Sequence, residues 1–323
     1  MQINKLIQIA KNFKGKKIGV IGDLMLDHFI WGDVERISPE APVPVILVEK
    51  ETFIPGGAAN TANNIAHLGG SVFLIGIIGS DSAGEQLTSE LNKNKINIDG
   101  LFLDKNRATT QKIRVIARGQ HVVRVDKEEI KPLTAEQEKK ILGFISRCIP
   151  GWDGIVVSDY AKGLITKNLA ETIVNLAVKY KKPIISDAKP KHAPFFKNVT
   201  LLSPNHKEAL EIAGASDIRK AGKIIQKQLN CSVLLTQGAE GVTLFENNRI
   251  KHFPAMANEA LDISGAGDTV VATATLALAA GANLEQASII ANYAAGIAVG
   301  KLGTATVTLE ELKKGIQSNE SED

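Results

Sequence analysis

The amino-acid sequence predicts an α/β fold with a mostly parallel central sheet, helices on both faces and a small β lid. From about residue 134 onward, short β-branched runs alternate with helical segments, a pattern typical of parallel sheets covered on both faces. One hairpin-like segment has no helix beside it and is expected to stand off the main sheet. No internal repeat or long linker divides the 323 residues, and a chain of this length can bury a sizeable core.

The N-terminal part holds the less regular elements. Residues 17–21 form an apolar run before a Gly-Asp pair, which predicts a buried strand that ends in a functional loop. Residues 43–48 are β-branched and follow prolines, which favour an edge strand. The other predicted elements here are a helix over 56–68, a strand over 71–78, a helix over 84–94 and a hairpin over 109–115 and 121–125 with a polar outer face.

The C-terminal part reads as regular βα alternation. Its predicted strands cover 154–157, 183–186, 200–202, 232–236 and 242–245. Its predicted helices are one that ends near 148, followed by 168–179, 207–213, 218–229, 267–280 and 284–299. We expect one domain over 1–316, with lid segments near 27–50 and 107–126, and a polar, disordered tail over 317–323.

Composition excludes several classes of protein. The chain has 38 Lys plus Arg against 35 Asp plus Glu, a net charge of +3, which is too balanced to indicate a nucleic-acid partner. The longest apolar stretch, 270–282, is too short to span a bilayer, and the first residues do not resemble a signal peptide. The only cysteines, Cys148 and Cys231, lack metal-ligand spacing and indicate a reduced compartment. We therefore expect a cytoplasmic protein with no membrane partner.

The run SGAGDT at 264–269 is the strongest local motif. Two glycines let the backbone approach a ligand closely, and the apolar run that follows makes this a helix N-terminus, which favours phosphate. Asp268, in the first turn, is suited to act as a general base. An ordinary glycine turn with a helix-favouring acid is the alternative reading of these six residues. The sequence contains no G-x-x-x-x-G-K-[ST] loop and no G-x-G-x-x-G after the first strand, which argues against P-loop and Rossmann nucleotide sites.

A second motif gives the chain a resemblance to a known family. GGAANTA at 56–62 and DISGAGDT at 262–269 resemble the first and second signatures of the ribokinase-like (PfkB) sugar kinases, in the right order and about 200 residues apart. The resemblance covers residues 17–312 and departs at Ile263, where many members carry threonine. It implies that Gly265, Ala266 and Gly267 form the anion hole for the transferring phosphoryl group. It also implies that Asp268 takes the proton of the sugar hydroxyl.

The same resemblance implies ATP and Mg²⁺ as cofactors. The residues expected at the nucleotide are Asn205, Glu208, Thr236, Gly238, Gly241 and Asn292. Glu208 would help to hold Mg²⁺, through water, although it could simply be a first-turn helix acid. Asn292 resembles the residue near the adenine.

The sugar pocket is implied to contain Asp23, Asp27, Gly57 and Asn60, since short carboxylates and amides hydrogen-bond hydroxyl groups. Asp23 could instead cap a turn. The lids of two subunits often pair in this family, and open sheet edges are generally paired or covered. We therefore expect a homodimer joined through the lid.

A finer resemblance concerns the substrate. GDLMLD at 22–27, the run at 31–45, SDYAKG at 158–163 and GKLGT at 300–304 are similar to bacterial heptose 7-phosphate kinases. This implies ATP-dependent phosphorylation of heptose 7-phosphate at C1, in lipopolysaccharide heptose synthesis. Many of these relatives carry a nucleotidyltransferase domain with an H-x-G-H motif; this sequence lacks the motif, so we expect a stand-alone kinase.

Two alternatives stay open: a kinase of the same fold for ribose, fructose or a fructose phosphate, and a non-catalytic regulator that binds sugar or nucleotide. A phosphorylated sugar would need cations at its far end from Asp268. The candidate phosphate contacts are Arg36, Lys162, Lys189 and Lys191.

Overall fold

The computed structural model describes residues 3–256, 261–301, 303 and 305–318. Within these residues, none of the helices combines the length and the apolar character that a bilayer-spanning segment requires. The tail residues 319–323, and Leu302 and Thr304 of the predicted GKLGT motif, lie outside the described residues.

Thirteen strands and ten α-helices follow one another in the described chain. The strands are β1 (Lys17–Gly22), β2 (Leu24–Ile37), β3 (Pro44–Gly57), β4 (Ser71–Gly79), β5 (Asn97–Asp104), β6 (Thr110–Ala117), β7 (Gln120–Lys127), β8 (Gly154–Ser158), β9 (Ile184–Asp187), β10 (Leu201–Leu202), β11 (Ser232–Thr236), β12 (Val242–Glu246) and β13 (Arg249–Phe253). The helices are α1 (Ile3–Lys11), α2 (Ala58–His67), α3 (Ser82–Lys93), α4 (Ala135–Cys148), α5 (Lys167–Lys179), α6 (His206–Ala213), α7 (Ile218–Leu229), α8 (Ala266–Ala279), α9 (Leu284–Val299) and α10 (Leu309–Ser318).

The main sheet has nine strands in the order β13-β12-β11-β10-β9-β8-β1-β4-β5. All neighbours pair in parallel except β11 with β12 and β12 with β13. Apolar residues of α1, α2, α3, α8, α9 and α10 pack on one face, and those of α4, α5, α6 and α7 pack on the other. The predicted mostly parallel sheet with helices on both faces is confirmed.

The strand order reverses at β1, which lies between β4 and β8. In such sheets, ligands bind beyond the carboxyl ends of the strands where the order reverses. Here that edge carries Asp23, which follows β1, and Asp187, which ends β9. The topology therefore brings residues that are far apart in sequence to one crevice.

A separate four-stranded sheet, in the order β3-β2-β6-β7, forms the lid. β2 pairs antiparallel with β3 and parallel with β6, and β6 and β7 form the predicted hairpin. β3 is an edge strand, as expected for the segment after the prolines. The prediction of a polar outer face for the hairpin is wrong, because Val123 and Val125 of β7 are about half exposed (48% and 50%).

Several elements differ from the sequence prediction. β2 and β3 are each 14 residues long, and Gly57 ends β3 rather than opening the helix, which begins at Ala58. α1, β2, β5, β13 and α10 were not predicted, and α10 includes the first two residues of the expected tail.

Candidate active site

A cavity of about 170 Å³ lies at the carboxyl edge of the main sheet, below the start of α8. It is lined by Tyr160, Asp187, Lys189, Ser203, Asn205, Glu208, Thr236, Gly265, Gly267 and Asp268. Seven of these residues were predicted site residues, from segments that run from Lys189 to Asp268 in the chain. The cavity is polar and holds three carboxylates.

Asp268 lies in the first turn of α8 and is buried (5% exposed). Its carboxylate accepts hydrogen bonds from Asn60 Nδ2 (2.8 Å), Thr61 Oγ1 (2.9 Å) and the hydroxyl of Tyr160 (3.0 Å). Burial raises the pKa of Asp268, the three donors oppose that rise, and the nearby charge of Asp27 adds to it. The result is a fixed carboxylate whose affinity for a proton is increased.

The N-terminus of α8 faces the cavity with free backbone donors. Gly265 is the N-cap residue with φ +79°, and Gly265 and Gly267 both line the cavity. Among the described residues, the N–H groups of Gly267 and Asp268 have no hydrogen-bond acceptor. A Cβ built on Gly267 meets no atom within 4 Å. The arrangement leaves room and donors for an anion, as a helix N-terminus can provide.

The N-terminus of α2 holds Asn60 and Thr61 against Asp268. Gly57 precedes the helix with φ +59°, and a Cβ there would lie 2.7 Å from the backbone oxygen of Asp23. A side chain at this position is excluded by both its backbone conformation and its neighbours. Gly57 therefore fixes the helix start beside the predicted sugar pocket.

Glu208 and Asn205 form a capping box at the start of α6. Asn205 Oδ1 accepts from the Glu208 N–H (2.9 Å), and Glu208 Oε2 accepts from the Asn205 N–H (3.0 Å). The other carboxylate oxygen of Glu208 is 2.6 Å from Lys189 Nζ. The helix-cap interpretation of Glu208 is thus correct as a local description, and the same side chain also reaches the cavity.

Asp187 is a cavity residue that the sequence analysis missed. Burial raises the pKa of Asp187 to about 8; the neighbouring carboxylates of Glu208, Asp268 and Asp159 add to the rise, whereas Lys189 opposes it. The signal in the sequence was an acid directly after the predicted strand 183–186. A lone acid at a strand end is also a common turn residue, so the signal was weak.

Asp23 and Asp27 lie at the base of the lid in different environments. The Asp23 carboxylate accepts three backbone N–H groups, from Tyr160 (2.9 Å), Lys162 (3.0 Å) and Leu164 (3.2 Å). Burial nevertheless raises the pKa of Asp23. This geometry matches the alternative interpretation of Asp23 as a residue that organises a turn, here the 160–164 loop.

Asp27 is buried and paired with Arg114 of β6, which also lies over the ring of Phe29 at 5.2 Å. Arg114 was not identified from the sequence because pairing of β2 with β6 brings it to Asp27 across 87 residues.

The remaining predicted nucleotide residues lie around the 236–254 segment. Thr236 bridges to Asn205 and lines the cavity. Gly238 and Gly241 have φ of +58° and +93°, and a Cβ on Gly241 would lie 2.2 Å from the Phe253 oxygen. The side-chain amide of Asn292 donates to the Pro254 oxygen (2.7 Å). Gly241 is thus required by packing of the turn itself, beside the cavity wall.

The four candidate phosphate contacts are not brought together. Arg36 is exposed near the end of β2, and Lys191 is exposed in the loop after β9. Lys162 pairs with Glu128 (2.6 Å), whereas Lys189 lines the cavity and pairs with Glu208. Within the described residues, no group of three or more His, Cys, Asp or Glu side chains is arranged to hold a metal ion by itself.

Comparisons with known proteins agree with this geometry. The family model described as "pfkB family carbohydrate kinase" matches residues 16–312. A curated relative, "Bifunctional protein HldE" of Helicobacter acinonychis (strain Sheeba), is 41% identical over 303 residues. That match covers 92% of this chain, and the chain spans 65% of the length of the relative.

Two solved structures share the fold. A putative ribokinase from Agrobacterium tumefaciens has a TM-score of 0.77 at 21% identity and covers 96% of this chain and 100% of its own. Ribokinase of Arabidopsis thaliana, solved with ribose and ATP, has a TM-score of 0.73 at 17% identity. The match covers 94% of this chain and 99% of the ribokinase.

Proposed function

The chain belongs to the pfkB family of carbohydrate kinases and is an ATP-dependent sugar kinase, and from that premise we propose that its substrate is D-glycero-D-manno-heptose 7-phosphate, phosphorylated at C1. The observation that carries the reaction type is the placement of Asp268. A buried carboxylate with a raised pKa lies directly beside free N–H groups at the start of α8. Base and anion site therefore meet at one point.

In the proposed reaction, the C1 hydroxyl attacks the terminal phosphorus of ATP, and its proton passes to Asp268. Asn60, Thr61 and Tyr160 fix the carboxylate so that it needs no reorganisation during transfer. The N–H groups at Gly267 and Asp268 are suited to stabilise charge on the phosphoryl oxygens. A positioned base of this kind contributes roughly 10²–10⁴-fold to rate.

The donor set also suits Mg²⁺. Asp187 and Glu208 both line the cavity and would supply oxygen ligands. Burial and, after it, the neighbouring carboxylates raise the pKa of Asp187, and a bound cation would oppose that rise. Mg²⁺ typically binds one or two carboxylates, phosphate oxygens and several waters, so a larger acidic cluster is not needed. When bound, the ion would neutralise charge on the phosphate oxygens.

The choice of sugar rests on the resemblance of residues 31–45 to heptose 7-phosphate kinases. This stretch covers the second half of β2, the turn after it and the start of β3, in the lid. We keep Asp27 and Asn60 as the residues proposed to bind sugar hydroxyls, because their short carboxylate and amide groups suit that role. A kinase for ribose, fructose or a fructose phosphate is the second candidate, because the structural neighbours include ribokinases.

A substrate panel tests the assignment. ADP release is measured with heptose 7-phosphate, unphosphorylated heptose, ribose, fructose and fructose 6-phosphate, and the position of the new phosphate is assigned by NMR. We expect kcat/KM to be highest for heptose 7-phosphate. Equal activity on the phosphorylated and unphosphorylated heptose would eliminate this substrate while leaving the kinase chemistry intact.

We also propose a homodimer joined through the lid. β3 and β7 are open edges of the four-stranded sheet, and every residue of β7 is exposed. Exposed apolar residues on the lid include Ile37, Val43, Leu47, Val48, Val123 and Val125. Light scattering at micromolar concentration should give twice the mass of the chain, and Val123→Lys with Val125→Lys should give the single mass. A wild-type monomer would contradict this assembly.

A further inference from the structure

Lys189 has a position that the proposed reaction does not yet use. The sequence predicts that Lys189 contacts the substrate's own phosphate, far from Asp268, but its side chain lines the same cavity as Asp268 and Gly267. Among the described residues that line this cavity, it is the only cation. A site for phosphoryl transfer gathers negative charge, so the one cation in its wall requires an explanation.

The backbone of Lys189 is fixed from both sides. Its N–H donates to Asp159 Oδ2 (3.0 Å), and its carbonyl accepts from the N–H groups of His192 (2.8 Å) and Ala193 (3.0 Å). The residue therefore starts from a rigid position just after β9. A rigid base reduces the entropy that a long side chain loses when it makes a contact.

The ammonium group is oriented by two neighbours. Glu208 Oε1 lies 2.6 Å from Nζ, and the ring centroid of Tyr160 lies 5.3 Å from it. Glu208 is itself held by the Asn205 N–H through its other oxygen, and Tyr160 is held by its hydrogen bond to Asp268. Because neither of these contacts involves Lys189, Glu208 and Tyr160 are held in place without it and fix the position of its ammonium group.

An ammonium group has three N–H donors, and the contact with Glu208 uses one of them. With 32% of its side chain exposed, Lys189 retains donors that face the cavity between Glu208 and the start of α8. A point charge with free donors is suited to a phosphate oxygen.

We propose that Lys189 is a catalytic cation of the transfer step, which donates a charge-assisted hydrogen bond to the phosphoryl group that moves from ATP to the sugar. In this step the bond from the sugar oxygen to phosphorus forms, and the bond from phosphorus to the bridging oxygen of ADP breaks. The hydroxyl proton passes to Asp268, and Lys189 keeps its own protons. The proposal rests on the proposed kinase reaction but not on the identity of the sugar.

The test uses Lys189→Ala and Lys189→Met, which remove the charge; the methionine keeps most of the stem. We expect kcat to fall by roughly 10²–10³-fold, as for loss of one donor to a developing charge. Lys197→Met, an exposed lysine further along the same loop, is the matched control and should keep wild-type kcat. Added methylammonium or ethylammonium should restore activity to Lys189→Ala in a saturable manner and should have no effect on the control.

A binding measurement gives a second readout that needs no turnover and no sugar. Calorimetry with ADP and with a non-hydrolysable ATP analogue should show a loss of affinity in Lys189→Ala that is confined to the analogue. Equal loss for both nucleotides would overturn the proposal, as would a kcat within threefold of wild type. A rise in KM only for the phosphorylated sugar would instead indicate that Lys189 contacts the phosphate that the sugar already carries. If the sugar assignment fails, the binding measurement still decides the role of Lys189.

Discussion

Two helix N-termini meet at the candidate active site, and their glycines serve opposite purposes. α2 begins after Gly57, where an added Cβ would lie 2.7 Å from the Asp23 oxygen and 2.8 Å from Met25 Cε. α8 begins after Gly265, and an added Cβ on Gly267 in its first turn meets nothing within 4 Å. One glycine is enclosed by protein, and the other faces open space.

The difference separates structural glycines from ligand-binding glycines. Gly57 is needed to fold α2 against the lid, so that Asn60 and Thr61 reach Asp268. Gly267 has ordinary helical backbone, and helix formation by itself would favour alanine at this position. A glycine that the folded protein does not need is explained best by a ligand that needs the space.

The largest expected effect is at Asp268, where the two helix starts meet. Asp268→Asn keeps the size of the side chain but removes the proton acceptor, so kcat should fall by roughly 10²–10⁴-fold. Binding of nucleotide and sugar, measured by calorimetry, should persist. A variant that keeps more than a tenth of the wild-type kcat would show that another group is the base.

Gly267→Ala tests the open side of the comparison. The methyl group enters the space expected for the phosphoryl group, and a displacement of about 1 Å can cost on the order of 100-fold in rate. Stability should be unchanged or rise by about 0.5–1 kcal/mol, since alanine favours helix over glycine. Urea unfolding and steady-state kinetics on the same sample measure both quantities; a loss of stability would mean that the space is not free.

Gly57→Ala tests the enclosed glycine, and its effect on stability should be opposite to that of Gly267→Ala. At φ +59° and ψ −133° the backbone is open almost only to glycine, so the free energy of unfolding should fall by roughly 1–3 kcal/mol. Urea unfolding under the conditions used for Gly267→Ala gives the direct comparison. If the two variants lost equal stability, the distinction between the two glycines would not hold.

The smallest expected effect concerns pH. Thr61 donates to Asp268 Oδ1 and lowers its pKa, so loss of this hydrogen bond in Thr61→Val should raise that pKa. Because the unprotonated carboxylate is the active form, the acidic limb of the kcat/KM profile should move to higher pH.

Thr273→Val is the control for this measurement. Thr273 lies in α8, the helix that carries Asp268, and is buried. Its hydroxyl has no hydrogen-bond partner among the described residues. Its pH profile should match that of the wild type. An identical profile for Thr61→Val would argue that Asp268 does not set the acidic limb.

Features set by local sequence were predicted well. Glycine pairs, β-branched runs and apolar periodicity identified most strands and helices of the main sheet, because these signals act within a few residues. The lid was harder. β2 carries Asp27, Asp33 and Glu35 among its apolar residues, and its pairing with β6 spans 85 residues, so no local pattern marked its length.

The site was predicted where motifs carried it and missed where long-range packing built it. The signatures identified Asp268 and Asn60, whereas Tyr160 and Arg114 reach Asp268 and Asp27 only through tertiary contacts. Lys189 is the clearest example of a residue whose role depends on long-range packing. Its position after a parallel strand predicted the correct edge of the sheet, but not which side of the cavity its side chain would join.

The two strands that carry the lid leave the main sheet at nearly the same point. Only Asp23 separates β1 from β2, β3 ends at Gly57, and the Asp23 oxygen accepts the N–H of Ala58 (3.0 Å). β6 enters the lid at the same end, where Thr110 pairs with Met25. Any rotation of the lid against the main sheet would have its axis near these connections. Displacement grows with distance from an axis, so the far end near Ile37 would move most, and Asp27, which we propose to bind the sugar, would move least.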